Sequence, residues 1–412
     1  MTTLSVHKSI LENGIRVVTK NIPHAQTISI GVWINVGARD ELPEQNGLSH
    51  FIEHMLFKGT ATRNAYQISK EFDAIGGQAN AMTAMEYTCF YARCYHTYLE
   101  KVIDLLSDML LASSFKSDEI SREKQVICQE LKTFEDDPED YINYLSGKAY
   151  WGQHSVSRSI LGTRERIESF DTNRIRSYFK RQYSPQKIII ALAGKIEHDP
   201  VVDRFEKIFA QFSVTDHPIN RTIPHPKPKK IIKYRDLEQV HICLAGKGFH
   251  LDSPQKYVFT LMNIILGGNM SSLLFQEIRE KHGLAYQIFS SPTMLSDTGM
   301  QSIYMGVDPS KVSKALQVTH ETLDHLIHHS LSESRLSDAK EYTKSTIQLS
   351  EESVNNQMVR LGQSELIYNR YIWVDEIIED LEKITSADIQ NLAKEVLDMD
   401  QMAVVLLGPV KD

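Results

Sequence analysis

The stretch Leu48-Ser49-His50-Phe51-Ile52-Glu53-His54-Met55-Leu56-Phe57 carries two patterns at once. Leu48, Phe51, Ile52, Met55 and Leu56 fall at i, i+3, i+4, i+7 and i+8, the spacing of one apolar stripe on an α-helix, and such a stripe needs a core. At about 100° per residue, His50, Glu53 and His54 project from the other side, stacked over roughly one turn. Two imidazoles four residues apart can share one metal ion, while the carboxylate beside them reaches a water at that ion. Asn46 is the expected N-cap, and Lys58 followed by Gly59 the expected stop. Structural zinc sites take four protein ligands, usually cysteine-rich, whereas catalytic ones take three and leave a place for water. The nearby sequence offers carboxylates rather than a thiol pair, which favours the open kind of site.

A third ligand has to come from another element. The run from Ser117 to Leu131 also reads as helix, with Ile120, Ile127, Leu131 and Phe134 as its buried stripe. Glu123 and Glu130, seven residues apart, lie along nearly one line at the border of that stripe. Read alone, each is either a snorkelling surface glutamate or a ligand at the edge of a core. Two other clusters read as solvated surface: His325, His328 and His329 as the polar face of an amphipathic helix, and Glu135 to Asp140, broken by Pro138, as a helix end or turn.

At 412 residues the chain is long for one core and suggests two domains. Apolar and charged fractions of 42% and 24% are those of a globular protein in water. A net charge of -8 argues against a nucleic-acid surface and is compatible with cationic peptide ligands. Cys89, Cys94, Cys128 and Cys243 form no C-x-x-C pair and read as reduced thiols. The residues Met1 to Lys8 lack a signal-peptide core and no run approaches a membrane span, so the expected location is cytoplasmic, with no membrane partner.

The proline-dense segment from His217 to Lys230 sits near the midpoint, as a linker would. It divides the chain into expected domains 1–216 and 231–412 around a linker 217–230. The two sides look alike: the helix pattern and strand between Ile175 and Gly194 recur about 215 residues later, between Ile389 and Gly408. The helix from Tyr98 to Leu111 likewise has a counterpart from Val312 to Ile327. Strands such as Thr27 to Val36, Thr88 to Arg93 and Gln301 to Val307 alternate with helices. The expected class is therefore α+β, a duplicated unit in which an antiparallel or mixed sheet is covered on one face by helices.

Taken together, these stretches resemble the pitrilysin-type (M16) zinc peptidases in their short form, which includes the mitochondrial processing peptidases and their bacterial relatives. The family carries H-x-x-E-H and a ligand glutamate about 76 residues beyond the second histidine, and Glu130 stands 76 positions after His54. The runs Gly47 to Thr60 and Leu131 to Asp140 resemble the family closely as well. The resemblance implies one zinc per chain, held by His50, His54 and Glu130, with Glu53 as general base and Glu123 as a supporting acid. It implies the M16 and LuxS-like metallohydrolase layout, two homologous domains forming half of a clamshell chamber, with the metal motif kept only in the first copy. In the second copy, Arg279 and Tyr286, in the run Arg279-Glu280-Lys281-His282-Gly283-Leu284-Ala285-Tyr286, resemble a pair that holds substrate. One departure is Leu273, which stands where relatives commonly have arginine. Gly77, Gln78, Ala79, Asn80 and Ala81 resemble the family's edge strand, where an extended peptide adds to the sheet through main-chain hydrogen bonds. The expected protein is a homodimeric endopeptidase for extended or unfolded oligopeptides. The alternatives are a catalytically silent scaffold subunit of the same fold and the catalytic half of a heterodimer.

Overall fold

The run Ile188-Ile189-Ile190-Ala191-Leu192-Ala193-Gly194 has no polar residue, and in the computed structural model, which describes residues 5–213 and 215–410, all seven are buried. Continuous apolar runs of this kind belong to strands covered on both faces. The first sheet contains β1 (Val6–Ile10), β2 (Arg16–Asn21), β3 (Thr27–Ile34), β4 (Gln78–Thr83), β5 (Thr88–Tyr95) and β6 (Ile188–Gly194), in the order β1-β2-β6-β3-β5-β4. The all-apolar strand β6 is thus an inner one. It runs parallel to β2 and antiparallel to β3, so the sheet is mixed.

The second sheet contains β7 (Lys230–Tyr234), β8 (Val240–Lys247), β9 (Ala285–Met294), β10 (Gly299–Val307) and β11 (Ala403–Gly408), in the order β7-β11-β8-β10-β9. Among the described residues its one parallel pair is β7 with β11. Five strands of the first sheet, β2-β6-β3-β5-β4, follow the same order with the same strand directions, so the internal repeat read in the sequence is a repeat of topology.

Two compact units emerge, and they interleave along the chain. One is made of residues up to Lys132, Arg158–Arg221 and Leu349–Tyr371; the other is made of Thr133–Ser157, Thr222–Gln348 and the residues from Ile372 onward. This differs from a single division at 217–230, and the reason lies in two helices. Pro138–Trp151 packs on β8 and β11, while Val354–Tyr368 packs on β2, β3 and β6. Each sheet therefore takes one covering helix from the other half of the sequence. The expectation of helices on one face is corrected at the same point: Ile189, Ala191 and Ala193 meet Met358 and Leu361 on one side, while Ile188, Ile190 and Leu192 are equally buried on the other. Residues 217–229 of the expected linker form no helix or strand, and its last residue, Lys230, begins β7. Among the described residues, no helix is long and apolar enough to cross a membrane.

Small residues and buried ion pairs seat the Val354–Tyr368 helix. Trp33 on β3 is fully buried, with Gly362 against its indole, and Gly31 lies under Met358. Beside them the Lys20 ammonium, 2% exposed, donates to Glu351 and to the Tyr371 hydroxyl, each at 2.9 Å. Arg16 pairs with Glu365 at 3.0 Å. A Cβ at position 362 would lie 2.3 Å from Trp33 Nε1 and 2.4 Å from Cε2. Alanine within a helix is ordinarily worth about 1 kcal/mol over glycine, but here the clash with a rigid, enclosed ring outweighs that gain. Gly362→Ala should destabilise the first unit by about 1–3 kcal/mol, read as a lowered denaturation midpoint in tryptophan fluorescence.

Candidate metal centre

The metal-motif helix forms at Leu48–Leu56, with Leu48, Phe51, Ile52, Met55 and Leu56 each no more than 2% exposed. Phe51 packs edge-on against Phe170, and the Ser49 hydroxyl meets that of Tyr178 at 2.9 Å. The cap differs from the expected Asn46. Gly47 precedes the helix at φ +99°, with its α-carbon against the Leu161 carbonyl and Gly162, a position that only glycine fits without strain. The capping oxygen comes from Glu41, whose carboxylate accepts from the Gly47 amide at 2.8 Å and the Ser49 amide at 2.6 Å, while the Asn46 side chain donates to the same carboxylate at 3.2 Å. The helix ends at Leu56, and Gly59 follows at φ +125°, close to the expected stop.

The second helix spans Ser117–Asp136, with Ile120, Ile127 and Leu131 buried as the periodicity predicts. Its Glu130 places Oε1 3.6 Å from His50 Nε2 and Oε2 3.6 Å from His54 Nε2. The candidate ligand atoms of His50, His54 and Glu130 all lie within 4.8 Å of one another, the one such group among the described residues that could hold a metal ion. Tetrahedral zinc with bonds of about 2.0–2.2 Å needs donor atoms roughly 3.3–3.6 Å apart, so the donor set fits with small adjustments. Burial, and then the neighbouring His54, push His50 down to about 3, which keeps its imidazole neutral and able to ligate.

Glu123 occupies the position behind the histidines. It is 3% exposed, with Oε2 3.0 Å from His54 Nδ1 and Oε1 2.8 Å from Lys58 Nζ. Burial acts to raise its pKa, but the hydrogen bonds from His54 and Lys58 together outweigh burial and hold the carboxyl below the usual range. A carboxylate at Nδ1 selects the tautomer that leaves Nε2 free for a metal. Glu53 projects beside the ligands and accepts a hydrogen bond from the Thr83 hydroxyl. Burial raises its pKa despite that bond and despite His54.

The remaining residues named from sequence lie elsewhere in the fold. Gly77 leads into β4, and Gln78, Ala79, Asn80 and Ala81 are its first four residues; β4 is the last strand of its sheet and, among the described residues, pairs with β5 alone. In the second unit Arg279 lies in a wide π-type helix over Phe275–Lys281, closed by bonds such as His282 N to Glu277 O at 3.2 Å. There the Arg279 guanidinium stacks over the rings of Phe275 and Tyr286 at 4.8 and 4.6 Å, and Tyr286 is 77% exposed. His325 and His329 stack on each other at 4.6 Å, and His328 meets Asp324 at 3.2 Å; they form no ligand group. The sequence does not mark Glu41, Lys58 or Thr83 as functional. Lys58 was visible only as a helix-end residue, and nothing in the local pattern marks the other two.

Two helices that bring a His-His-Glu set together on a sheet-and-helix unit define a metallohydrolase type of architecture. Residues 16–164 match the family described as Insulinase (Peptidase family M16), and residues 169–342 match the Peptidase M16 inactive domain. An uncharacterized zinc protease of Bacillus subtilis, YmxG, is 37% identical over 97% of this chain and 97% of its own. An uncharacterized zinc protease of Streptomyces coelicolor is 33% identical over 99% of this chain and 90% of its own. In fold, a peptidase M16 inactive domain from Pseudomonas fluorescens superposes with a TM-score of 0.92 at 18% identity, covering 99% of each chain. A protease from Helicobacter pylori superposes at 0.89 and 21% identity, covering 98% of this chain and all of that one. The chain belongs to peptidase family M16, in its short form.

Two measurements test this geometry. Glu123→Ala removes the partner that orients His54 and should weaken zinc retention about 10- to 100-fold against a competing chelator. Glu41 offers a pH test. Burial outweighs its hydrogen bonds and raises it to about 7 from an ordinary 4.5. Between those values the folded chain holds a proton that the unfolded chain has released, so stability falls as pH rises through the window. In metal-free protein, Glu41→Gln should lack that slope, and the native protein should lose about 2–3 kcal/mol relative to it between pH 5 and pH 8 in equilibrium unfolding.

Proposed function

We propose that this chain is a zinc-dependent endopeptidase that hydrolyses extended or unfolded oligopeptides, presequence-like segments among them. The observation that carries the reading is the meeting of His50, His54 and Glu130 with Glu53 beside them and Glu123 behind. Zinc held by the three ligands would act as a Lewis acid, polarising the scissile carbonyl and acidifying water next to it. Glu53 takes the proton of the attacking water and returns it to the leaving amine. Its burial favours that role, because a raised carboxyl pKa moves toward the range in which a base can both accept and release a proton near neutrality. Glu123 and Lys58 keep His54 in the ligating orientation.

The substrate is taken as an added strand along the outer edge of β4, which no other strand covers among the described residues and which carries small side chains. Arg279 and Tyr286 serve as substrate-contacting donors; stacking holds the guanidinium rigid while the exposed phenol stays available. The assembly we favour is a homodimer with one zinc per chain. A complete ligand set with its base and supporting acid favours catalysis over a silent scaffold, where nothing would maintain a glutamate in the half-buried position of Glu53.

Glu53→Gln, isosteric but without a base, should lower turnover of an unstructured peptide library by at least about a hundredfold while zinc content by elemental analysis stays that of the native protein. Turnover that persists in zinc-loaded Glu53→Gln would remove Glu53 from the role of base.

A further inference from the structure

The geometry points to Thr83 as a positioning residue for Glu53, one that couples the peptide-capturing edge of the first sheet to the orientation of the base. The inference rests on the peptidase reading above. Thr83 is the last residue of β4, and its hydroxyl donates to Glu53 Oε2. Glutamate has three rotatable side-chain bonds and loses on the order of 1.5–2 kcal/mol of entropy when fixed. With one oxygen held by Thr83, the other is left as the acceptor for a proton.

The hydroxyl is itself on a fixed mount. Thr83 pairs with Thr88 across the β4–β5 hairpin, and Ala84 N bonds Tyr87 O at 2.8 Å to close it. The turn is clamped from a second segment, with Ala38 N to Ala84 O at 3.1 Å and Arg39 N to Met85 O at 2.8 Å. Thr88 Oγ1 also donates to Val36 O at 3.0 Å, and buried Arg39 pairs with Glu86. Threonine adds its own stiffness, since branching at Cβ restricts χ1.

Among the described residues the outer edge of β4 has no neighbouring strand, so on that side its main chain is not held by a sheet ladder. A peptide pairing there supplies the missing ladder of main-chain bonds and steadies the strand that carries Thr83. A docked extended substrate thereby lies along the same strand that holds the base.

The test compares native protein with Thr83→Val, Thr83→Ser and Glu53→Gln on a quenched fluorescent peptide, with zinc content measured on the same samples. Metal-free native, Thr83→Val and Thr83→Ser proteins are also crystallised. Thr83→Val should lower kcat by roughly 10- to 100-fold with KM within about twofold and zinc content unchanged, because a misplaced base costs turnover rather than binding. Thr83→Ser, which restores the hydroxyl, should recover most of the lost kcat. The crystals should show one Glu53 orientation in the native and Thr83→Ser proteins and more than one in Thr83→Val. Unchanged kcat in Thr83→Val, or a single native Glu53 orientation in its crystals, overturns the inference. Turnover retained by Glu53→Gln would instead remove Glu53 from the role of base, and no turnover by the zinc-loaded native protein would overturn the peptidase reading; in either case the metal-free crystals would still decide whether Thr83 holds the carboxylate.

Discussion

A carboxylate taken out of water is tolerated only when charged or hydrogen-bonding partners surround it. Glu123 is such a group, and both of its partners, His54 and Lys58, come from the metal-motif helix or the residues just past its end. The His54 ring lies between two carboxylates of the Ser117–Asp136 helix, with Nδ1 toward Glu123 and Nε2 toward Glu130. Seven residues along a helix are two turns, about 10.5 Å, which is room for one imidazole and its contacts on either side. The bond that satisfies Glu123 therefore also sets the register that presents Glu130 to both histidines.

That register depends on a metal-motif helix that cannot rotate. Its apolar stripe is sealed beneath the surface, so each ligand direction follows from packing rather than from the polar face itself. Glu41 fixes the helix start by taking two main-chain amides at a point where the positive end of the helix dipole favours an anion. The site thus combines a neutral buried histidine, a paired acid held below its usual range and a base pushed above it, within one unit. Environments that drive neighbouring titratable groups apart are what acid–base and metal chemistry on one scaffold require.

The second sheet repeats the strand order of the first without the chemistry. Its Lys256–Asn263 helix precedes a segment with Asn269, Ser271 and Ser272, and no metal-ligand group forms among the described residues there. Fold and site chemistry are separable in this duplication: the sheet and its covering helices are the common part, and the candidate ligand residues stand on one copy. The exchanged covering helices add a constraint of their own. Neither half of the sequence can cover both faces of its own sheet, so each unit needs residues contributed from both halves.

What the sequence alone determined is what depends on periodicity and spacing. The stripe of Leu48, Phe51, Ile52, Met55 and Leu56, the opposing His50, Glu53 and His54, the buried stripe on the second helix, the edge strand at Gln78 and the repeat near 215 residues are all local patterns, because side-chain direction on a helix or strand follows from position in the chain. The pairing of Glu130 with the histidines was legible through a resemblance to a family, since no local rule relates residues 76 positions apart. Only the tertiary structure decided that Glu41 caps the metal-motif helix, that Thr83 holds Glu53, and that the Val354–Tyr368 helix covers β2, β3 and β6. Those contacts join segments brought together by burial of other residues, and a glutamate, a threonine or a helix carries no mark in its neighbours of the distant surface it will meet.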